Sequence, residues 1–261
     1  MAFISASIVL YKNEVNIVKN AILSFLNTQY HVILYLIDNS PTDELKNIIQ
    51  DDRVFYFHNP TNSGFGAGHN IAIKKALEIE SDYHIVLNPD IYFEKNTLEN
   101  IVKFMEIEKV VGHVMPKILF PDQSFQYLCK MNPTFFDLFA RGFLPSFIKK
   151  ILKKRLNKYE YRESNFDNII YDIPYLSGCF MFFRTSTLKK VGFFDERIFM
   201  YLEDADITRR FLQFSRTAYF PGAFVYHHYA GLAHKQFKFK LITIKSAITY
   251  FNKWGWIKNL Y

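Results

Sequence analysis

The chain has 261 residues, of which 49% are hydrophobic and 18% aromatic, and its formal net charge is +7. This length and composition exclude a disordered chain or a coiled coil and favour one globular domain. Two cysteines without a C-x-x-C pair argue against a disulfide framework or a cysteine zinc site and fit a reducing cytoplasm.

The first ninety residues alternate between strand and helix patterns. Strands are predicted over residues 3–11, 32–38, 53–58 and 83–88. Helices are predicted from Asn13, from the end of the turn at 38–43 to about Ile49, and from the glycine-rich segment 62–70 to about Ile79. Strands that alternate with helices predict an α/β fold with a mostly parallel central sheet flanked by helices. Ligands of such sheets bind beyond the carboxyl ends of the strands.

The second half of the chain is less regular. A helix is expected near 95–108 and a strand near 110–119, followed by an irregular, basic insertion over 121–170. Later elements are predicted as a strand at 175–184, a short helix, an acidic helix around 203–210, a strand near 217–226 and a helix at 236–252. No run reaches about 18 apolar residues, so we expect no membrane-spanning helix. The start of the chain is unlike a secretory signal because no basic region precedes its apolar run.

Two polar segments at predicted strand ends can bind a nucleotide. Asp38, with Asn39 beside it, can accept hydrogen bonds from a base, although an Asx turn explains the pair equally well. In the segment 62–70, Gly64 and Gly68 can let the backbone approach a nucleotide closely, because glycine has no Cβ. This segment lacks the G-x-G-x-x-G spacing and follows the third strand, which disfavours a dinucleotide fingerprint.

Metal ligands are predicted at two further strand ends. In Asn88-Pro89-Asp90, the Asp90 carboxylate can bind Mg²⁺ or Mn²⁺, although this tripeptide is also a common turn. Either His227 or His228 can join Asp90 as a ligand or serve a structural role.

An acidic cluster opens the predicted helix near 203–210. Glu203, Asp204 and Asp206 precede two arginines, and Asp206 can pair with Arg210 at i,i+4 spacing. These acids can cap the helix, or one of them can be a general base fixed by its apolar flanks.

The order of these segments along the chain is informative. SIVLYKNE, LIDNSPTD, NSGFGAGHNIAI, LNPDIYF, LSGCFMFFR, GFFDERIFMYLEDADITRR and VYHH together resemble family 2 glycosyltransferases, particularly the rhamnosyltransferase-like branch of bacterial polysaccharide assembly. The resemblance implies the nucleotide-binding glycosyltransferase A fold and an inverting, single-displacement reaction.

The resemblance also implies roles for particular residues. Asp38 looks like the base-contacting carboxylate, Asp90 like the metal-binding aspartate of a D-x-D motif, and Asp204 like the catalytic base. His227 looks like the late metal ligand, with His228 as the alternative. The remaining expected site residues are Tyr11, Asn39, Gly64, Gly68, Asn70 and Asn88 for the donor nucleotide, and Glu203, Arg210 and His228 for acceptor contact or support. Asn88 replaces the first aspartate of D-x-D, which removes one negative charge from the Mn²⁺ or Mg²⁺ site.

The expected domain spans 1–261, with a nucleotide-sugar-binding half at 1–110, an acceptor and catalytic half at 111–235, and a basic aromatic helix at 236–261. The expected donor is a nucleoside diphosphate sugar, with dTDP-rhamnose as the leading choice, and the acceptor is a glycan or a polyprenyl-linked glycan. The basic stretches 141–162 and 236–261 indicate contact with an anionic membrane at the inner face of the plasma membrane. A solvated helix face is the alternative, and no nucleic-acid partner is expected.

Two other functions fit parts of the pattern. A sugar nucleotidyltransferase shares a similar sheet, but it carries a glycine-rich loop directly after its first strand, where this chain has Tyr11-Lys12-Asn13-Glu14. A non-catalytic module that binds carbohydrate or nucleic acid fits the basic, aromatic-rich composition.

Overall fold

The computed structural model describes residues 1–228 and 237–256. Its first half alternates strands with helices as β1 (Phe3–Leu10), α1 (Val15–Leu26), β2 (His31–Asp38), β3 (Val54–His58), α2 (Phe65–Glu78) and β4 (Tyr83–Leu87). The α1 helix buries Val18, Ile22 and Phe25, which recur at helical spacing and pack on the sheet.

The second half begins with β5 (Ile91–Tyr92), α3 (Thr97–Ile107), β6 (Val111–Leu119), β7 (Cys129–Lys130), α4 (Phe135–Phe143), α5 (Ser146–Ile151) and α6 (Lys153–Tyr159). It continues with β8 (Ile170–Tyr171), β9 (Tyr175–Leu176), β10 (Phe180–Arg184), α7 (Thr185–Val191), α8 (Glu203–Phe211), β11 (Arg216–His227) and α9 (Phe237–Trp254). Among the described residues, no helix is both long and apolar enough to cross a bilayer.

The central sheet has the strand order β3-β2-β1-β4-β10-β6-β11-β5, and β8 pairs with β11. The first four strands are parallel, as predicted, whereas β10 runs antiparallel to both β4 and β6. The sheet is therefore mixed rather than mostly parallel. The α/β class with flanking helices is confirmed.

The register brings one set of strand ends to a single edge of the sheet. Leu10 pairs with Asp38, Phe180 pairs with Leu87, and His227 pairs with Ile91. The carboxyl ends of β1, β2, β4 and β11 and the amino end of β10 therefore share this edge, which is called the site edge below.

Three local predictions differ from the structure. The helix predicted to reach Ile49 is wrong, because residues 40–50 form turns that bury Leu45 and Ile48. The strand predicted at 175–184 is interrupted at residues 177–179, where the chain bends into the site edge between β9 and β10. The irregular insertion 121–170 contains three short helices and two short strands, each too short for a clear sequence period.

Buried polar groups lie inside the sheet layers. The Ser7 hydroxyl is 2.7 Å from His69 Nδ1 and 3.0 Å from His84 Nε2, and Ser5 Oγ is 2.8 Å from His84 Nδ1. Burial lowers the pKa of His84 and of His113 to about 3, and it lowers the pKa of His69 strongly. All three imidazoles are therefore neutral at physiological pH.

Candidate active site

Asp38 ends β2 and is completely buried at the site edge. Its Oδ1 accepts a hydrogen bond from the Ser40 backbone N–H at 2.9 Å, and its Oδ2 accepts one from the Tyr56 hydroxyl at 2.7 Å. The first bond is the Asx turn considered from the sequence. Tyr56 was not anticipated, since a tyrosine in a predicted strand gives no sign of its partner.

Tyr11 and Asn39 flank this carboxylate. Tyr11 follows β1 and remains 47% exposed, so its ring is available to a ligand. The Asn39 amide instead links parts of the chain, because its Nδ2 donates to Gly64 O at 3.2 Å and its Oδ1 accepts from Asn59 Nδ2 at 2.7 Å.

The glycines of the loop that opens α2 are required by internal packing. Gly64 has φ +101°, and a Cβ there would lie 2.3 Å from the Phe199 carbonyl oxygen. A Cβ on Gly68 would lie 2.7 Å from Val9 Cγ2. The space next to both glycines is therefore filled by protein, and this packing by itself explains why neither position accepts a Cβ.

The Asn70 side chain makes its hydrogen bonds within the protein. It is 1% exposed, its Oδ1 accepts from Phe194 N at 2.9 Å, and its Nδ2 donates to Phe194 O at 3.0 Å and to Glu196 Oε1 at 2.9 Å. Both ends of the amide thus hold α2 against the segment that precedes α8.

Asp90 and His227 come together, with 3.5 Å between Asp90 Oδ1 and His227 Nε2. On the other side of the imidazole, Nδ1 lies 3.0 Å from Gln126 Oε1. The Gln126 amide orientation is fixed because its Nε2 donates to the carbonyls of His227 and Leu119 at 3.0 and 3.2 Å. Nδ1 therefore donates to Gln126, and when the imidazole is neutral an electron pair on Nε2 faces the Asp90 carboxylate, an arrangement that could hold a cation.

His228 and Asn88 have surroundings that differ from those of Asp90 and His227. The His228 ring packs on Tyr92 with centroids 5.3 Å apart, while its backbone N–H donates to Asp90 O at 3.0 Å. The Asn88 backbone N–H donates to Cys179 O at 2.9 Å, which joins the Asp90 turn to the bend before β10. Of the two histidines, His227 is the one that faces Asp90.

Asp204 lies in the first turn of α8. Tyr201 and Leu202, directly before the helix, both have left-handed backbones with φ of 70° and 73°. This conformation costs about 1–2 kcal/mol per residue outside glycine, and such strain is concentrated at functional sites. The Asp204 carboxylate accepts from Ala205 N and Gly178 N, each at 2.9 Å. Its orientation is therefore fixed, while the side chain remains partly exposed.

The environment raises the pKa of both adjacent carboxyl groups. Burial is the main cause for Glu203 and for Asp204, and the Asp204 charge raises the pKa of Glu203 further. Lys130 and hydrogen bonds from the Gly178 and Ala205 backbone and from Tyr175 act in the opposite direction on Asp204. A carboxylate with a raised pKa is a stronger base than an ordinary surface aspartate.

Lys130 and Tyr175 were missed by sequence reasoning. They pair across the two-stranded ribbon of β7 and β9, and Lys130 Nζ lies 4.6 Å from the centroid of the Tyr175 ring. Lys130 lies in the irregular insertion, where no motif distinguishes it from other lysines.

The predicted ion pair within α8 is present. Arg210 Nε donates to Asp206 Oδ2 at 3.0 Å, and the same guanidinium donates to the carbonyls of Val191 and Phe193 at 2.8 Å each. Arg210 therefore supports the helix through contacts within the protein.

The site residues form a continuous arrangement along the site edge. Asp38 and the Asp90 turn are two strands apart, which corresponds to about 10 Å at the usual strand spacing. Gly178 links Asp204 to Cys179 and hence to Asn88, and it also packs against Phe65 of the glycine loop. A cavity of about 320 Å³ lies instead at the opposite edge, lined partly by Asp82, Tyr83 and Arg184. The guanidinium of Arg184 in this cavity is already hydrogen-bonded to Met105 O and to the Tyr83 hydroxyl. We therefore place the candidate active site at the site edge, where the carboxylates and His227 lie.

Comparison with known proteins identifies the family. The sequence model described as Glycosyl transferase family 2 matches residues 7–192. The chain belongs to this family. Family membership identifies the protein as a glycosyltransferase, rather than a sugar nucleotidyltransferase or a non-catalytic module.

Among curated relatives of this family 2 glycosyltransferase is rhamnosyltransferase WbbL of Escherichia coli K12, 28% identical over 214 residues, or 79% of this chain and 76% of the relative. Another is the N-acetylglucosaminyl-diphospho-decaprenol L-rhamnosyltransferase of Mycobacterium tuberculosis, 26% identical over 216 residues, or 78% of this chain and 69% of the relative. The predicted resemblance to rhamnosyltransferases is confirmed.

Solved structures confirm the glycosyltransferase A fold. GalNAc-T7, in a crystal structure with UDP, GalNAc and Mn²⁺, aligns with TM-score 0.63 and 15% identity over 86% of this chain and 42% of that one. Residues 1–349 of Staphylococcus aureus TarS align with TM-score 0.57 and 17% identity over 94% of this chain and 65% of that one. At these identities the likeness is one of fold.

Proposed function

We propose that this glycosyltransferase transfers rhamnose from dTDP-rhamnose, with inversion, to a glycan or polyprenyl-linked acceptor in bacterial surface polysaccharide synthesis. The single observation that carries the mechanism is the Asp204 carboxylate, oriented by two backbone N–H groups and joined through Gly178 and Cys179 to the Asp90 turn. The names of the two rhamnosyltransferase relatives support the choice of sugar, and the decaprenol-linked name of one supports the acceptor class.

The donor binds along the site edge from Asp38 towards Asp90. Exposed Tyr11 contacts the base, and Asp38 stabilises the turn that borders it. Backbone atoms of the Asn39 and Gly64 region form the wall of the nucleotide site, since their side-chain directions are occupied by protein.

A divalent cation, Mn²⁺ or Mg²⁺, fits between Asp90 and His227, because two electron-pair donors face each other there. The described part of the chain contains no group of three or more His, Cys, Asp or Glu side chains suited to a metal. Asp90 and His227 would supply two ligands, and oxygens of the donor diphosphate and water could complete the coordination of such a cation. Such a cation would neutralise charge on the departing diphosphate.

Asp204 accepts the proton of the acceptor hydroxyl while that oxygen attacks the anomeric carbon. Attack comes from the face opposite the diphosphate, so the new glycosidic bond has inverted configuration. The positive charge of Lys130 lowers the pKa of Asp204 against the effect of burial and so favours the carboxylate form that accepts a proton.

The decisive experiment measures transfer from a panel of nucleotide sugars with and without Mn²⁺, using the wild-type chain and Asp204→Asn. We expect activity with dTDP-rhamnose, a fall in kcat of about 10²–10⁴-fold in Asp204→Asn and unchanged donor binding by calorimetry. The matched control is Asp52→Asn, an exposed carboxylate just before β3 at the opposite edge. Full turnover in Asp204→Asn would remove this residue from the role of base.

Localisation at the inner face of the plasma membrane is proposed from an exposed aromatic surface, defined by Phe135, Phe139 and Trp256. These side chains are 53%, 44% and 47% exposed, and the Phe135 ring lies 6.3 Å from Phe139 and 6.0 Å from Trp256. Nearby in the chain, exposed lysines of α5 and α6 add positive charge at positions 150, 153, 154 and 158. An apolar surface accompanied by lysines suits an anionic bilayer.

Vesicle flotation tests this contact. We expect the chain to bind phosphatidylglycerol vesicles and not phosphatidylcholine vesicles at low salt, and Phe135→Ser with Phe139→Ser to lose binding. The control, Phe214→Ser, removes a phenylalanine that is 54% exposed in the turn after α8. Equal flotation of all variants would contradict the surface assignment.

A further inference from the structure

The helix α9 packs against the part of the chain that presents Asp204. Its Tyr250 and Phe251 are 1% and 2% exposed and share an apolar cluster with Leu202 and Ala205, on either side of the Glu203-Asp204 pair. The family model ends at residue 192, so α8 and α9 both lie beyond the matched region.

Hydrogen bonds from α9 reach both sides of the Asp204 turn. On the amino-terminal side, the buried Ser246 hydroxyl donates to Met200 O at 2.7 Å, directly before the left-handed pair Tyr201 and Leu202. On the carboxyl-terminal side, Lys253 Nζ and Trp254 Nε1 each lie 2.7 Å from Asp206 Oδ1. The strained turn is therefore held from one helix at two points.

Asp206 is the acceptor that joins the two helices. It is completely buried, and its second oxygen accepts from Arg210 Nε of α8 at 3.0 Å. The Arg209 guanidinium stacks 4.2 Å from the Trp254 ring centroid, which adds a second contact between the helices. A buried carboxylate with this number of donors defines one geometry, because any displacement leaves a buried charge without its partners.

We propose that α9 is a positioning element for the base: Ser246, Lys253 and Trp254 hold the backbone on both sides of Asp204 at the distance required by the acceptor hydroxyl. This inference rests on the proposed role of Asp204. Displacement of a catalytic group by about 1 Å costs up to ~10²-fold in rate. Since Tyr11, Asp38 and Asp90 are carried by other elements, donor binding depends on α9 less than the position of Asp204 does.

Steady-state kinetics on the full chain test the proposal. In the double variant Ser246→Ala, Lys253→Met we expect kcat to fall about 10- to 100-fold while the KM for the donor changes less than about twofold. Lys253→Arg retains the positive charge and most of the activity. Thr249→Ala is the matched control, because that hydroxyl donates to the Lys245 carbonyl within α9. An unchanged kcat in the double variant overturns the proposal.

Fluorescence provides a readout that does not depend on activity. Trp254 and Trp256 are the two tryptophans of the chain, so Trp256→Phe leaves Trp254 as the reporter at the contact between α8 and α9. In that background, Ser246→Ala should shift Trp254 emission to longer wavelength and lower kcat together. A red shift with normal kcat shows that α9 is structural and refutes positioning.

Asp204→Asn, measured in parallel, separates the two possible failures. If Asp204→Asn is active, the proposed base is wrong. If it is inactive while the α9 variants have normal kcat, the inference about α9 alone is wrong.

Discussion

Glu203 and Asp204 are neighbouring carboxyl groups with different surroundings. Asp204 receives two backbone hydrogen bonds, whereas Glu203 is 5% exposed and its Oε2 has no hydrogen-bond partner among the described residues. Burial raises the pKa of Glu203 strongly, so ionising this group in the folded protein is unfavourable. The molecule therefore tolerates a destabilising residue directly beside the proposed base.

Glu203→Gln should stabilise the fold at pH 7.5. The pKa of Glu203 is higher in the folded protein than in the unfolded chain. The contribution of the neutral Glu203 to the free energy of unfolding is therefore complete below the ordinary glutamate pKa of about 4.3, and it is lost as the pH rises towards the folded pKa. Glutamine does not ionise, so the variant does not lose this free energy at pH 7.5. Each kcal/mol gained in the free energy of unfolding raises Tm by about 2–4 °C. Thermal unfolding at pH 7.5 and 4 measures the effect. An equal gain at both pH values would show that ionisation is not the cause.

The loop before α2 joins two parts of the site by close packing. Gly64 needs both a positive φ and the absence of a Cβ, because the Phe199 carbonyl occupies that position. Gly192 also has a positive φ of +83°, but no atom lies within 4 Å of its missing Cβ. A side chain would cause backbone strain at both positions, but it would clash with a neighbouring atom only at Gly64.

Gly64→Ala should lower the free energy of unfolding by more than Gly192→Ala does. We expect about 1–2 kcal/mol from left-handed strain in Gly192→Ala and at least ~1–3 kcal/mol in addition for overpacking in Gly64→Ala. Urea denaturation of both variants measures the difference. Equal losses would mean that the Phe199 segment moves freely away from the loop.

The strands β1 to β4 and the helices α1 and α2 were predictable because each has a clear sequence period, whereas the helix predicted to reach Ile49 is absent from the described structure. Asp90 and His227 were both placed at strand ends by the sequence, but only the structure shows which histidine faces Asp90, and their role as metal ligands stays a prediction. Lys130 and Tyr175 were not predictable, because their two-residue strands carry no period and their pairing depends on contacts distant in sequence. The hydrogen bonds of Asn70 could not be predicted either, because its partners lie 124 and 126 residues away in the sequence.

The folded molecule as a whole keeps three histidines buried and uncharged. His69, His84 and His113 have folded pKa values lowered by burial, whereas an exposed histidine in the unfolded chain has a pKa of about 6.5. Below that pH the unfolded chain takes up protons that the folded chain does not. Stability is therefore lost as pH falls below about 6.5.

The free energy of unfolding should fall steeply as the pH is lowered below about 6.5. Three protons correspond to a loss of about 4 kcal/mol per pH unit at the steepest point. His113→Phe removes one of them and should reduce that slope by about 1.4 kcal/mol per pH unit, since the imidazole already packs against Phe183 and Phe211. Urea denaturation at pH 7, 6 and 5 measures the slopes. Identical slopes would exclude His113 as a source of acid sensitivity.

The hydrogen bonds between the Asn70 side chain and the Phe194 backbone affect how this enzyme can be recombined with its relatives. A chimera joined at residue 192, where the family match ends, would take Asn70 from one parent and its partners Phe194 and Glu196 from the other. Exchange of donor specificity between parents therefore requires segments 64–70 and 194–199 to be inherited as one block.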